Sequence, residues 1–142
     1  MDDCIFCKMV RGEQDCLKVY EDEAALCILD IAQLTSESEE FIRGRCLAIP
    51  KRHVAWFHEL EDDEAGRLFV AARRVSSRIM RAFSPDFVAV FIRGMQIPHA
   101  HIILQPSFEG APVDKVFEGL RHYFRLAPEE LLREMHRSLL ES

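Results

Sequence analysis

The clearest hydrophobic pattern in the chain is an apolar stripe at helical spacing between residues 62 and 82. Acidic side chains fill the first turn of this segment and arginines come later, an order that the helix dipole favours. The pair Ser84-Pro85 ends it. We therefore expect a long amphipathic helix over 62–82 with one face in the core. The stripe consists of Leu68, Ala72, Val75, Ile79 and Phe83.

Five shorter apolar runs are typical of β-strands. They cover residues 17–20, 25–29, 45–49, 87–92 and 97–104. The run at 87–92 is apolar throughout and predicts a buried strand. Strands that follow one another through short links, with one long helix inserted, indicate an antiparallel sheet. The fold class expected is α+β, with a five-stranded antiparallel sheet and one long helix.

The remaining segments complete a one-domain layout. A short helical segment spans 4–12, and the Ser/Glu-rich stretch 33–43 is predicted to be a solvated loop. Two C-terminal helices are expected, near 113–124 and near 128–140. On the second, Leu131, Met135 and Leu139 share a face. The expectation is a single domain over 1–142, with a core over about 4–106 and a helical extension over about 107–142.

Composition narrows the class of protein. Among the 142 residues 49% are hydrophobic and 30% charged, which is typical of globular proteins, and the net charge of −6 argues against a nucleic-acid-coating protein. No stretch is long enough to span a bilayer, and the N-terminus lacks the pattern of a signal peptide. The five cysteines are then better interpreted as thiols or metal ligands than as disulfides. A cytoplasmic protein without a membrane partner is expected.

The pair Cys4-x-x-Cys7 is the first candidate for chemistry. Two cysteines at this spacing can hold one ion and form half of a tetrahedral zinc site. The alternative, two buried thiols at the start of a helix, is about equally compatible with the sequence. A redox dithiol would require a thioredoxin-like βαβ pattern, which the sequence lacks.

Histidines supply the second set of candidates. In the run Pro98-His99-Ala100-His101 the two imidazoles alternate with an apolar residue, so on a strand they share one face about 7 Å apart. Two imidazoles on an apolar strand are costly to bury without partners, which favours a functional role. His53, just past a strand end, is by itself more typical of a surface residue. Asp30, at the end of an apolar strand, could equally cap a turn or bind a sugar hydroxyl.

Taken in order, five short motifs resemble the histidine triad (HIT) family over roughly residues 4–106. They are Cys4-Ile5-Phe6-Cys7-Lys8, Val19-Tyr20-Glu21-Asp22, Leu29-Asp30-Ile31, Ile49-Pro50-Lys51-Arg52-His53 and Pro98-His99-Ala100-His101. The resemblance implies a HIT-like fold and nucleotide hydrolysis or transfer at an α-phosphate through a covalent nucleotidyl-histidine. It also implies a homodimer built around the long helix and the adjoining strand.

The resemblance also implies roles for individual residues. His101 matches the nucleophile, and Asp30 matches the acid that binds the ribose. Ile5, Phe6 and Ile31 match positions that enclose the base, and Gln96, the last residue of the shortened turn before the triad, joins the nucleotide-binding candidates. In zinc-containing members, a structural Zn²⁺ is held by the counterparts of Cys4, Cys7, His53 and His99.

Three departures from the family pattern concern catalysis. The third histidine of the triad is replaced by Ile103, the turn before the triad is shortened to residues 93–96, and 36–43 resembles an insertion. A water or Arg93 could take over the hydrogen bond of the missing histidine, whereas Gln105 lies one strand repeat too far along.

Three functions therefore compete. The first is hydrolysis or transfer on a purine nucleotide conjugate, of the phosphoramidate or dinucleoside polyphosphate type. The second is a catalytically weak nucleotide- and zinc-binding protein, which Ile103 favours. The third is a zinc-stabilised interaction module, which His101 and Asp30 argue against because a scaffold needs neither.

Overall fold

The structure is a computed structural model that describes residues 3–36, 38–92, 96–109 and 124–142. These segments contain three α-helices and eight strands. In chain order they are α1 Ile5–Val10, β1 Leu17–Glu21, β2 Ala25–Leu29, β3 Ala32–Thr35, β4 Phe41–Ile42, β5 Cys46–Pro50, α2 Asp62–Phe83, β6 Phe87–Phe91, β7 Ile102–Ser107, β8 Phe124–Leu126 and α3 Glu129–Glu141.

Five strands form the main sheet in the order β1-β2-β5-β7-β6, and every neighbouring pair is antiparallel. The α+β class, the five-stranded antiparallel sheet and the long helix are therefore confirmed. Strands β2 and β5 are buried along their whole length because both sheet faces are covered. One face packs against α2 and α3, and the other packs against α1.

Helix α2 buries the stripe that the sequence predicts. Leu68, Ala72, Val75 and Ile79 are almost inaccessible to solvent, while Phe83 is partly buried at the end. A capping box between Glu61 and Glu64 satisfies backbone N–H groups of the first turn. The helix ends at Ser84, whose left-handed φ of 48° turns the chain towards β6.

The predicted solvated loop over 33–43 is wrong. Residues Ala32–Thr35 form β3, which pairs with β4 on one side and with β8 on the other. Gln33, Leu34 and Thr35 are buried. Only the link between β3 and β4 matches the Ser/Glu-rich composition. The residues before it form β3, which is covered by β8, a strand more than 90 residues further along the chain.

The last predicted strand also differs from the structure. Residues 96–99 form bends and residues 100–101 are irregular. The His99 N–H donates to the carbonyl of Ile97, and the Ala100 N–H donates to the carbonyl of Val54. Strand β7 begins only at Ile102 and continues through Pro106, which lies opposite Val88. The two histidines therefore precede the strand instead of lying within it.

Strand β6 is not buried as predicted. It pairs with β7 alone in the described part of the chain, and Phe87 and Val90 are 45% and 48% exposed. An all-apolar run at a sheet edge leaves one side without cover in a single chain.

Some predictions fall outside the described residues. The helix expected near 113–124 lies there except for Phe124, which begins β8, and Arg93 also lies there. The C-terminal helix is present as α3, with Leu132, Met135 and Leu139 buried and Leu131 partly so. None of the described helices is long and apolar enough to cross a membrane.

Candidate functional site

Four side chains of metal-ligand type converge at the N-terminal end of α1. One ligand atom each from Cys4, Cys7, His53 and His99 lies within 4.8 Å of the other three. The Cys7 Sγ is 3.1 Å from the His53 Nδ1 and 3.5 Å from the His99 Nδ1. The Cys4 Sγ is 3.4 Å from the His99 Nδ1. The structure thus brings together all four residues that the sequence suggested for a metal.

The spacing of these atoms fits a tetrahedral zinc ion. Zn–S bonds of about 2.3 Å and Zn–N bonds of about 2.0 Å at tetrahedral angles place sulfur and nitrogen about 3.5 Å apart. The observed sulfur–nitrogen distances of 3.1–3.5 Å agree with this value. Two sulfurs and two imidazoles form one of the usual donor sets of structural zinc. The cluster therefore fits Zn²⁺.

The surroundings of His99 prepare it as a ligand. The ring is fully buried, and its Nε2–H donates to the carbonyl of Pro50 at 2.8 Å, which leaves the lone pair on Nδ1. Burial is the largest cause of the lowered pKa of His99, which favours the neutral form that binds metals. Burial and the neighbouring Cys4 raise the pKa of Cys7, so two adjacent thiolates need a cation to offset their charge.

The cluster fixes one wall of a neighbouring cavity of about 490 Å³. Cys4 and Cys7 flank Ile5 and Phe6 on α1, and both of these apolar residues line the cavity. The Phe6 ring meets His99 and His101 edge-on, with centroid distances of 5.8 and 5.3 Å. The Cys/His cluster and the cavity therefore share the wall that α1 provides.

His101 is held in one orientation at the cavity. Its Nδ1–H donates to the backbone carbonyl of His99 at 2.8 Å, and the ring is partly exposed along the cavity wall. In the neutral ring this bond leaves the lone pair on Nε2. An imidazole with a fixed tautomer and a basic nitrogen can act as a nucleophile near neutral pH.

The other nucleotide-binding candidates also line this cavity. Asp30 lies at its edge beside Ile31, which is 59% exposed, and Gln96 is an exposed residue of the bend before His99. Ile5 is 41% exposed. Exposed aliphatic side chains around a partly enclosed cavity are typical of a site that covers a flat apolar group.

Ile103 occupies the third triad position and is buried. It packs in the apolar cluster with Phe6, opposite Leu47 on β5 and Phe91 on β6. Gln105 does not replace the missing imidazole, because its Oε1 accepts from Arg45 and its Nε2 donates to the carbonyl of Pro106. Among the described residues, this part of the wall therefore has an apolar side chain at the position where the resemblance to the HIT family implies a histidine.

Arg45 is a cavity residue that our sequence analysis missed. Its Nε donates to the Asp30 Oδ2 at 2.9 Å, and the two side chains are only 12% and 17% exposed. In the sequence, Arg45 appeared only as the first residue of an apolar strand. A charged residue at the start of a strand predicted to be buried is unusual unless it has a polar or charged partner. This feature of the sequence could have indicated that Arg45 is paired.

The chain is similar in sequence to proteins of one known family. The model of the HIT domain matches residues 11–106, about two thirds of the chain. The chain belongs to the HIT family. Adenylylsulfatase HINT3 of Arabidopsis thaliana is 34% identical to it over 76% of this chain and 54% of that protein. The chain thus matches about half the length of this relative.

Two further comparisons agree with HIT membership. Adenosine 5′-monophosphoramidase hnt1 of Schizosaccharomyces pombe is 33% identical over 75% of this chain and 77% of that protein. The crystal structure of a Zn-bound histidine triad family protein from Mycobacterium smegmatis superposes with a TM-score of 0.72. This alignment covers 99% and 95% of the two chains at 24% identity, so it supports the HIT fold.

Proposed function

We propose that this HIT protein hydrolyses or transfers at the α-phosphate of a purine nucleotide conjugate, through a nucleotidyl intermediate on His101. The observation that carries the proposal is the bond from the His101 Nδ1–H to the carbonyl of His99, on the wall of the cavity. Two relatives are named as an adenylylsulfatase and an adenosine 5′-monophosphoramidase, so an adenylyl conjugate is the substrate class that we favour.

The proposed reaction has two displacement steps. The Nε2 lone pair of His101 attacks the α-phosphorus, and the bond from phosphorus to the leaving nitrogen or oxygen breaks. The leaving group departs with that electron pair and takes a proton from water. Water or another acceptor then attacks phosphorus, the bond to Nε2 breaks, and the acceptor's proton is released to solvent.

Five cavity residues have distinct parts in the proposed complex. Ile5, Phe6 and Ile31 enclose the base, Asp30 accepts hydrogen bonds from the ribose, and Gln96 lies at the phosphate end. A catalytically weak nucleotide-binding protein is the second candidate, and the observation that favours it is the apolar Ile103. The proposal also places the protein in the cytoplasm and treats residues 1–142 as one domain.

The proposed function is tested by mass spectrometry of the intact protein. After incubation with an adenosine 5′-phosphoramidate and rapid quenching, we expect a population heavier by one adenylyl group, with free AMP accumulating in solution. The modified peptide should contain His101. If AMP binds but neither the adduct nor product appears, the weak-binding alternative is correct.

We further propose that Cys4, Cys7, His53 and His99 hold one structural Zn²⁺. The ion would supply the positive charge that keeps two thiolates stable beside each other, and would tie α1 to the end of β5 and to the bend before β7. We expect about one equivalent of zinc in protein purified without a histidine tag, measured by elemental analysis. Cys7→Ser should lose most of this metal.

Cys16→Ser is the matched control for the metal site, because Cys16 is a half-buried thiol outside the cluster. This variant should keep its zinc. Since α1 also bears Ile5 and Phe6, chelation should weaken AMP binding as well. Wild-type protein with less than about a tenth of an equivalent after zinc supplementation would contradict the assignment.

The exposed edge of the main sheet supports a two-fold homodimer as a third proposal. Phe87 and Val90 on the edge strand β6 are 45% and 48% exposed, and a second copy paired along this edge would cover both side chains. We expect light scattering at micromolar concentration to report twice the mass of one chain. Val90→Lys should shift the protein towards the monomer, whereas Leu140→Lys, on the exposed side of α3, should not. A monomeric wild type would exclude this proposal.

A further inference from the structure

Three polar side chains form a row across the main sheet, at the edge of the cavity. Leu29 lies opposite Cys46, and Cys46 lies opposite Leu104. The positions next to them are Asp30, Arg45 and Gln105, which therefore lie side by side on neighbouring strands. The parallel row two residues further along is apolar, with Ile28, Leu47 and Ile103.

The row is a connected set of hydrogen bonds. The guanidinium of Arg45 donates through Nε to the Asp30 Oδ2 at 2.9 Å and through Nη1 to the Gln105 Oε1 at 3.3 Å. The other oxygen of Asp30, Oδ1, accepts from the backbone N–H of Ala32 at 3.0 Å. Two separate donors, in fixed positions, thus determine the orientation of the Asp30 carboxylate.

The backbone around this pair is fixed as well. The Asp30 N–H donates to the Arg45 carbonyl at 3.0 Å. The buried amide of Gln33 accepts from the Arg45 N–H at 3.0 Å and donates to the Arg45 carbonyl at 3.1 Å. Arg45 is thus bonded to Asp30, Gln105 and Gln33. We infer that its guanidinium is a rigid support for the Asp30 carboxylate.

The bonding pattern leaves acceptor capacity that matches a diol. A carboxylate oxygen has two acceptor positions, and each oxygen of Asp30 gives one of them to the protein. One position per oxygen remains for a ligand in the cavity. The 2′- and 3′-hydroxyls of a ribose are two neighbouring donors, whereas a 2′-deoxyribose has one.

We propose that Arg45 is a positioning residue that holds Asp30 in the orientation required by a 2′,3′-diol, and so makes the site select ribonucleotides over 2′-deoxyribonucleotides. The inference rests on the proposed nucleotide function. It adds a residue that acts through Asp30 and assigns it a measurable effect on sugar preference. If Arg45 only held β2, β5 and β7 together, its loss would weaken the binding of ribonucleotides and of 2′-deoxyribonucleotides equally.

The experiment measures the dissociation constants of AMP and 2′-deoxy-AMP by titration calorimetry. For the wild type we expect AMP to bind about tenfold more tightly, as one hydrogen bond to a charged group predicts. Arg45→Met keeps the length of the apolar stem. It should weaken the binding of AMP about tenfold and the binding of 2′-deoxy-AMP less than about threefold. Arg45→Lys keeps the positive charge but lacks the planar guanidinium with its several N–H donors. It should give an intermediate preference for AMP over 2′-deoxy-AMP.

Two more variants separate positioning from folding. Asp30→Asn should remove the sugar preference, because the amide can offer only one acceptor oxygen. Gln105→Met leaves the Arg45–Asp30 pair intact and removes the outer support of the guanidinium, together with the bond from the Gln105 amide to the Pro106 carbonyl. If Arg45→Met does not fold, Gln105→Met decides: a preference at least about twofold smaller supports the inference, and an unchanged preference overturns it.

The possible failures are distinguishable. A wild type that binds AMP and 2′-deoxy-AMP equally overturns this inference and leaves the proposed function standing. An Arg45→Met variant that is folded and keeps the wild-type preference does the same. A wild type that binds neither nucleotide overturns the proposed function and this inference with it.

Discussion

Replacing His101 by alanine is expected to remove covalent nucleotidylation completely and to lower the hydrolysis of an adenosine phosphoramidate by at least about a thousandfold. The physical reason is that the proposed reaction has no other route to a phosphorus–nitrogen bond on the protein. Within the described residues the Nδ1 atoms of His53 and His99 lie in the Cys/His cluster, and the Nε2–H of His99 donates to Pro50. Neither histidine lines the cavity, so neither offers it a second nucleophile.

The measurement is the rate of AMP release, with the intact mass of the protein followed in parallel. His58→Ala is the matched control, because His58 is an exposed histidine that stacks on Trp56 and does not line the cavity. This control should keep wild-type activity. An active His101→Ala protein, or an adduct on another residue, would show that the nucleophile is assigned wrongly.

His101 and the Cys/His cluster are linked through one residue, His99. His99 offers its Nδ1 to the cluster, its Nε2–H to Pro50 and its backbone carbonyl to His101. A change at the cluster that moves His99 therefore also moves the acceptor that fixes the tautomer of His101. The irregular segment 96–101 makes this link, and a regular strand through the same residues would direct the carbonyl of His99 into the sheet.

The sequence predicted much of the main sheet and the metal cluster, for two different reasons. Local periodicity located α2, β1 and β2, since their apolar residues face the core at a regular spacing. The four clustered residues are up to 95 positions apart, and spacing alone suggested only Cys4 and Cys7. The histidines were joined to them by the ordered resemblance of short motifs.

What the sequence did not predict depends on contacts between distant segments. Strand β3 exists because β8 pairs with it across more than 90 residues, and no local pattern in 32–35 indicates that partner. The late start of β7 depends on a bond from Ala100 to Val54, on the segment after β5. The Asp30–Arg45 pair likewise requires the register of β2 and β5, which the sequence alone does not fix.

The environment of Ile103 explains why the missing histidine should matter. Ile103 lines the cavity in the row next to His101, but it offers no hydrogen bond, and Gln105 is already engaged with Arg45 and Pro106. Charge develops on the leaving atom as the bond to phosphorus breaks. Because the described residues offer no donor in this part of the wall, we expect that charge to be stabilised less and the wild-type protein to turn over slowly.

Ile103→His is therefore expected to raise the hydrolysis rate about ten- to hundredfold. A hydrogen bond to a charged group is worth roughly 1.5–3 kcal/mol, and each 1.4 kcal/mol of barrier is about a factor of ten in rate. The measurement is kcat on an adenosine phosphoramidate, at saturating substrate. Because the new imidazole replaces a buried side chain beside Phe6 and Leu47, we also expect a lower melting temperature, and a thermal scan shows whether the variant is folded.

Two controls separate a donor effect from a change of packing. Ile103→Val keeps the apolar character and should give no gain, and Ile103→His combined with His101→Ala should be inactive, because the donor assists only a reaction that His101 begins. A folded Ile103→His protein that is no faster, beside a wild type that already turns over at several per second, about the usual median for enzymes, would contradict this account. Some other group would then supply the hydrogen bond to the leaving atom.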